Sequence, residues 1–279
     1  MRKRLCALSA VLAFGIVPIL TANTAHADSM EELSVAHRGA TTSQLAEGTL
    51  PAYQYAVKNH ADILDADVRW TKDGSDADKL GTMVILHDAT LDRITNCAGE
   101  VSSWLWSAIR DRCRTDVGGE RLIRLADLLK YGNSLGRSLA LEIKVSPITD
   151  AQAKQFWDAI KNSKVQLEAT SARLAALNKI KKLDDADLNH KISYALITSG
   201  AGGWPSVSTI KEIGTAVHAK LTIPAAVVRS YRQANIKVFL FTSKNDSQDA
   251  KMIALEPYAV TVNDVARFQR WRDATKESA

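Results

Sequence analysis

Apolar and polar positions divide this chain into short strand-like runs and longer amphipathic stretches. Eight runs carry strand character, at residues 33–37, 63–70, 83–87, 139–145, 192–198, 216–219, 237–242 and 259–263. Most are dense in Val, Ile and Leu, the pattern of parallel strands buried on both faces. Between them the spacing turns helical. Residues 50–59 open with Pro51, whose fixed φ suits a first helical turn. Within 122–131, Leu125, Leu128 and Leu129 share a face, and 150–161 sets Ala153, Phe156, Trp157 and Ile160 at i, i+3, i+4 and i+7. Residues 171–182, 223–233, 248–255 and 265–275 follow similarly. Strand and helix alternating in this way predict a parallel α/β sheet, and eight strands predict a closed (β/α)8 TIM barrel forming a single domain. An open doubly wound sheet is the main rival. It would want a glycine-rich turn after the first strand, where Gly39 stands alone. One irregular stretch, 89–120, follows the third run.

In such a barrel, reactive groups gather at the C-terminal ends of the strands. Here the first run ends in His37-Arg38-Gly39, and the second carries Asp65-Ala66-Asp67. The third ends in His87-Asp88, and the fourth carries Glu142-Ile143-Lys144. Singly, each has a plain reading as a cap, a salt bridge or a structural histidine. Together they bring like charges to one end of consecutive strands, where burial makes them repel unless a counter-charge is present. Side chains at i and i+2 of a strand share a face, so Asp65 and Asp67 converge, as do Glu142 and Lys144. Three hard carboxylates suit Mg2+ or Ca2+ better than Zn2+. His37 and His87, on runs expected to flank the aspartate pair, would take and give a proton. Arg38 and Lys144 would supply positive charge for an anion. An anion, a divalent cation and an acid–base pair describe phosphoester cleavage. His218, ending the sixth run, is a candidate for the mouth lining, His190 falls in a polar turn, and Asp264 reads as a helix N-cap.

Composition adds limits. The 279 residues are 46% hydrophobic and 24% charged, which excludes collagen, low-complexity disorder and a disulfide-stitched miniprotein. The formal charge of +5 includes Arg2, Lys3 and Arg4. An uncharged run, 5–20, and then Ala25-His26-Ala27 complete the layout of a secretory signal cleaved after Ala27. The run contains Pro18 and is short for a hydrocarbon core of ~30 Å, so stable membrane insertion is not expected. Without those three cations the segment 28–279 carries +2, and it shows no basic stripe with interleaved aromatics, so nucleic acid is not an expected partner. The expected product is a secreted, monomeric extracellular domain over 28–279. Cys6 leaves with the signal, and Cys97 and Cys113 remain to pair on an oxidising export route. Their bridge would close a loop of about 15 residues, worth roughly 3 kcal/mol.

The motifs now fall into a familiar order. His37-Arg38-Gly39 resembles the opening HRG of the glycerophosphodiester phosphodiesterase family, and Glu47-Gly48-Thr49 resembles its ENT. Asp65-Ala66-Asp67-Val68, continuing through Thr71, Asp73 and Gly74, resembles E-x-D-V and T-x-D-G. Val84-Ile85-Leu86-His87-Asp88, with Leu91 and Arg93 after it, resembles V-x-x-H-D, and Leu141-Glu142-Ile143-Lys144 resembles L-E-I-K. The resemblance spans nearly all of 28–279. It implies a TIM barrel that cleaves small glycerophosphodiesters to an alcohol and glycerol 3-phosphate with Ca2+ or Mg2+. It implies Asp65, Asp67 and Glu142 as metal ligands, with Glu47 near them, and His37 and His87 as the acid–base pair. It implies phosphate contacts from Arg38 and Lys144. Substrate contacts are also expected from Glu47, His218 and the aromatic wall at Phe241. A substrate hydroxyl would attack first, His37 accepting its proton and His87 donating to the leaving alcohol, and water would then open a cyclic phosphate.

The chain departs from the family pattern in several places. Asp65 stands where Glu is usual, Gly48 replaces an Asn, and the usual W-T-x-N reads Phe241-Thr242-Ser243-Lys244. Residues 89–120 stand where the family carries a larger inserted domain. Two other readings share the motifs. A phospholipase D or sphingomyelinase-like enzyme acting on intact lipids would need an exposed apolar lip, for which Trp104 and Trp106 are candidates. A non-catalytic binding barrel would have no need of an acid–base pair.

Overall fold

A computed structural model describes residues 32–72, 80–187 and 192–277. The proposed signal 1–27, the motif residues Asp73 and Gly74, and His190 lie outside the described residues. The strands are β1 (Leu33–Ala36), β2 (Ile63–Trp70), β3 (Met83–Ile85), β4 (Ser138–Ile143), β5 (Leu167–Ser171), β6 (Ser193–Thr198), β7 (Ala216–Lys220), β8 (Lys237–Ser243) and β9 (Ala259–Val262). All except β3 are parallel to their neighbours in a ring ordered β1-β2-β4-β5-β6-β7-β8-β9, closed where β9 pairs with β1. This is the expected (β/α)8 barrel. Its helices among the described residues are α1 (Leu50–Lys58), α2 (Trp106–Arg112), α3 (Leu125–Leu135), α4 (Asp150–Ile160), α5 (Leu174–Asp185), α6 (Val207–Ile213), α7 (Ala225–Gln233), α8 (Asp246–Ile253) and α9 (Val265–Glu277).

The count of eight barrel strands holds, but its membership changes. The run 83–87 is not a barrel strand. Its first three residues form β3, an arm antiparallel to the far end of β2, with Val68 facing Ile85 and Trp70 facing Met83. It is apolar because it lies between two cores: Val84 and Leu86 join Leu91, Val101, Ile109 and Leu122 in a small one, and Met83 and Ile85 face the main one. The strand absent from the expected set is β5, which reads Leu-Glu-Ala-Thr-Ser. Its Glu168 reaches into the barrel, so the segment lacks the aliphatic density that marks its neighbours. The helical reading of 171–182 likewise began too early, since Ser171 still belongs to β5.

Strand alternation separates two packing layers. In β2, Leu64, Ala66 and Val68 are fully buried and join Leu139, Leu141 and Ile143 of β4 in the main core. The apolar stripe of α4, from Ala153 to Ile160, closes over the same core. Each large side chain buried there stabilises the fold by about 1.5–3 kcal/mol. Inside the ring, Val35, Ala195, Ala216, Phe239 and Ala259 form a smaller plug. Helix ends are set locally. A capping box of Thr149 and Gln152 starts α4, and Gly136, at φ 65°, ends α3 in the left-handed region. The register of β2 on β4 sets Asp65 opposite Ala140 and Asp67 opposite Glu142.

Cys97 and Cys113 are bonded, and they clip the stretch 89–120 around the small core. Trp104 and Trp106 are half-buried against that core. No helix among the described residues is long and apolar enough to cross a membrane. Replacing Cys113 by Ser should lower stability by about 2–4 kcal/mol, the usual range for a bridged loop of this size. Thermal melts of the two proteins without reductant would check this, and coincident melts would contradict it.

Candidate active site

Each side chain at the mouth is placed by the element beneath it. After β1 the chain turns through Arg38 at φ 55° and Gly39 at φ 86°. A side chain at Gly39 would meet the Tyr53 ring at 3.0 Å, so this turn needs glycine. The turn aims the Arg38 backbone N–H at Asp65 Oδ2, 3.1 Å away. His37 Nδ1 lies 2.7 Å from Asn263 Oδ1. An amide oxygen only accepts, so Nδ1 carries the proton and Nε2 is the bare nitrogen. Burial, with help from the Arg38 charge, lowers the His37 pKa to about 4, so the ring is neutral at pH 7.

His87 reaches the same cavity by another route than expected. The barrel neighbours of β2 are β1 and β4, and His87 follows the antiparallel arm β3. Leu86 N–H donates to the Asp67 carbonyl at 2.9 Å, which lays the arm over the end of β2. His87 Nδ1 sits 2.6 Å from Asp88 Oδ1, and Arg93 Nε donates to the other Asp88 oxygen. Burial lowers the His87 pKa against the opposing pull of Asp67 and Asp88. Asp88 is held at about 2, because the bonds from Arg93 and His87 outweigh its desolvation.

Glu47, only 5% exposed, holds two guanidiniums. Arg38 Nη1 lies 3.0 Å from both its oxygens, and Arg93 Nη2 lies 2.5 Å from Oε1. These bonds overcome desolvation and keep its pKa below the ordinary value. A continuous polar chain therefore runs from His87 through Asp88, Arg93, Glu47 and Arg38 to Asp67, whose Oδ2 lies 3.2 Å from Arg38 Nε.

The three remaining carboxylates are strained electrostatically. Burial and the adjacent Asp67 push Asp65 up to about 7. Burial and Glu142 raise Asp67, although Lys144 and Arg38 oppose the shift. Lys144 Nζ donates to Glu142 at 2.9 Å and stands 3.7 Å from Asp67. Asp67 Oδ2 is buried without a hydrogen bond. Among the described residues, no three His, Cys, Asp or Glu side chains are arranged as they stand to hold an ion. Repelling oxygen donors with one unbonded atom are nevertheless the chemistry a hard divalent cation satisfies.

These groups line one cavity of about 550 Å³ at the C-terminal end of the barrel. Of the residues singled out in the sequence, His37, Arg38, Glu47, Asp65, Asp67, His87, Glu142, Lys144, His218 and Phe241 all border it. His218 is largely committed elsewhere. Its Nε2 is 2.6 Å from Glu168 Oε1, and its ring stacks on Phe239 at 4.3 Å. Asp264 accepts from Arg267 N–H at 3.0 Å, the N-cap contact expected of it, and from Tyr55 as well. Three participants carried no expected role: Asn263, the Arg93 bridge and Glu168. Asn263 follows the last residue of β9, so the strand-end rule that finds His37 would also have found it. Arg93 and Glu168 act through partners 46 and 50 residues away, which no local pattern reports.

The sequence matches the Glycerophosphoryl diester phosphodiesterase family over residues 37–267, and the chain belongs to that family. It is 30% identical over 133 residues to a glycerophosphodiester phosphodiesterase of Bacillus subtilis (strain 168), covering 43% of each chain. To glycerophosphodiester phosphodiesterase 1 of Homo sapiens it is 29% identical over 134 residues, 45% of this chain and 38% of that one. It thus matches less than half the length of these curated relatives. The fold is shared with a phosphodiesterase of Oleispira antarctica solved in complex with the product sn-glycerol-3-phosphate. That superposition has a TM-score of 0.75 at 20% identity, covering 86% of this chain and 96% of that one. A glycerophosphodiester phosphodiesterase of Thermotoga maritima gives 0.67 at 20% identity over 86% and 98%.

The Asp65 shift carries a stability consequence. Its folded pKa of about 7 lies above the model-compound value of 3.8, so the native state binds more protons between them and loses stability as pH rises through that window. With EDTA present, Asp65→Asn should therefore stabilise the protein at pH 8, on the order of 1–3 kcal/mol, and leave it nearly unchanged at pH 4. Urea denaturation at the two pH values checks this, and equal effects at both would contradict it.

Proposed function

We propose that the chain hydrolyses small glycerophosphodiesters to an alcohol and glycerol 3-phosphate. His37 and His87 serve as the acid–base pair, and Asp65, Asp67 and Glu142 hold Ca2+ or Mg2+. The enzyme works outside the cell after removal of residues 1–27. The observation that carries this reading is the pairing of two imidazoles with unlike Nδ1 partners around a set of repelling carboxylates in one cavity.

The partners divide the two roles. His37, neutral and held by an amide, offers bare Nε2 to a proton, so it accepts from the attacking substrate hydroxyl. His87 Nδ1 is held by the Asp88 carboxylate, which stabilises the imidazolium against the lowering effect of burial and leaves Nε2 to donate to the departing alcohol oxygen. As the new P–O bond forms and the bond to the alcohol breaks, Arg38 and Lys144 balance charge on the phosphoryl oxygens. Water then opens the cyclic phosphate with the histidine roles exchanged. A bound divalent cation supplies further positive charge at the phosphoryl group. The charge balance supports this reading: Glu47, Asp65, Asp67 and Glu142 outnumber Arg38, Lys144 and Lys244 among the ionisable side chains bordering the cavity. Fully ionised, the cavity repels a phosphodiester until a divalent ion reverses its sign. Trp104 and Trp106 pack on the small core beside the disulfide, which favours soluble diesters over intact lipid.

The protein from Asp28 onward should release glycerol 3-phosphate from glycerophosphocholine with Ca2+ or Mg2+ and stop with EDTA. His37→Ala should lose roughly 100-fold to 10,000-fold in kcat, the share general acid–base groups supply. His87→Ala should lose as much on that substrate but far less on a p-nitrophenyl phosphodiester, whose leaving group needs no proton. Metal-independent release, or equal loss from His87→Ala on both substrates, would contradict the reading.

A further inference from the structure

The cavity is zoned by charge. Around β1, β2 and β4, both cations at the wall are held by carboxylates, while Asp65 accepts from the Arg38 backbone N–H. Arg38 pairs with Glu47 and Asp67, and Lys144 pairs with Glu142 and Asp67. The far wall, built from the ends of β6 to β8, includes Ile197, Ser199, Phe241, Thr242 and Lys244 and contains no carboxylate. In the eight-strand ring β4 is third and β8 seventh, so Lys144 and Lys244 stand on opposite sides of the mouth. Lys244 is exposed, and among the described residues its ammonium makes no ion pair. The carboxylates nearest in sequence are taken: Asp246 and Asp249 both pair with Arg267. Asn245 is also committed, since its side chain caps α8 by accepting from Gln248 N–H at 3.0 Å.

A phosphodiester whose phosphorus sits between the histidines extends one substituent toward this wall. A trimethylammonium group there would need an aromatic cage or a carboxylate. The wall offers one phenyl ring, Phe241, the imidazole of His218, which already holds the Glu168 carboxylate, and a lysine. Resting on the phosphodiesterase reading above, we infer that Lys244 is a specificity residue. It selects phosphodiesters whose alcohol carries a second anionic group, a phosphate or a carboxylate, and disfavours those carrying a quaternary ammonium. The attraction acts through solvent at the lip, so it is screened beyond about 8 Å at physiological salt.

The test compares kcat/KM for glycerophosphoglycerophosphoglycerol, whose alcohol bears a second phosphodiester, with that for glycerophosphocholine. Glycerol 3-phosphate release is measured for the wild type, Lys244→Ala and Lys244→Glu. The wild-type ratio should exceed one and shrink as salt is raised. It should fall about fivefold in Lys244→Ala, the size of one exposed ion pair, and about twenty-fivefold in Lys244→Glu, where attraction becomes repulsion. A merely structural role would lower both substrates together and leave the ratio and its salt dependence unmoved. Equal ratios in three active proteins would overturn the inference and leave the phosphodiesterase reading standing. A wild type that releases nothing from either substrate would overturn both.

Discussion

A buried carboxylate set beside a half-buried one is the constraint to which the rest of the mouth responds. The register of β2 on β4 sets Asp67 beside Glu142, with Asp65 one turn of the pleat below. In a low-dielectric wall these charges repel, and the proton affinities of Asp65 and Asp67 rise. Lys144 and Arg38 lean into the cluster in response. Arg38 can do so because the left-handed turn at Arg38-Gly39 delivers it there and Glu47 holds its other edge. Glu47 in turn recruits Arg93, and Arg93 fixes Asp88 behind His87. One unfavourable juxtaposition thus organises a chain of contacts that ends at the second imidazole. Such a cluster lowers the stability of the barrel, and a large apolar core outside the ring offsets it.

The two histidines differ through their partners and not through their own chemistry. Both use Nδ1 for orientation, and both border the same cavity. One is held by an amide at the end of β9 and the other by a carboxylate on the arm after β3. Burial and the Arg38 charge keep His37 neutral despite its bond to Asn263, while at His87 burial lowers the proton affinity against the pull of Asp67 and Asp88. The two imidazoles are therefore oriented by two different elements of the fold.

Much of the site was legible in the sequence because it obeys a local rule. His37, Asp65, Asp67, Glu142 and Lys144 lie on or next to barrel strands, and alternation alone says which of them share a face. The departures have physical causes. Segment 83–87 is aliphatic because it lies between two cores, Val84 and Leu86 facing the small disulfide-bearing one and Met83 and Ile85 the main one. Strand β5 escaped notice because Glu168, Thr170 and small residues replace the usual aliphatics, and the reason is visible only across the barrel, where Glu168 meets His218. Arg93 was noted as part of a motif, yet its work depends on Glu47, a residue on the other side of β2 in the chain.

The sequence by itself determined the alternation of strands and helices, the strand-end chemistry and the pairing of Cys97 with Cys113. Periodicity, i to i+2 spacing and a count of cysteines are properties of neighbouring residues or of composition, and they survive without knowing the fold. Only the tertiary structure decided which strands are neighbours, that β3 lies outside the ring, which cation answers which carboxylate, and that Lys244, across from Lys144, makes no ion pair among the described residues. Those outcomes depend on hydrogen-bond register and ring closure between segments far apart in the chain. No stretch of sequence contains both halves of such a contact.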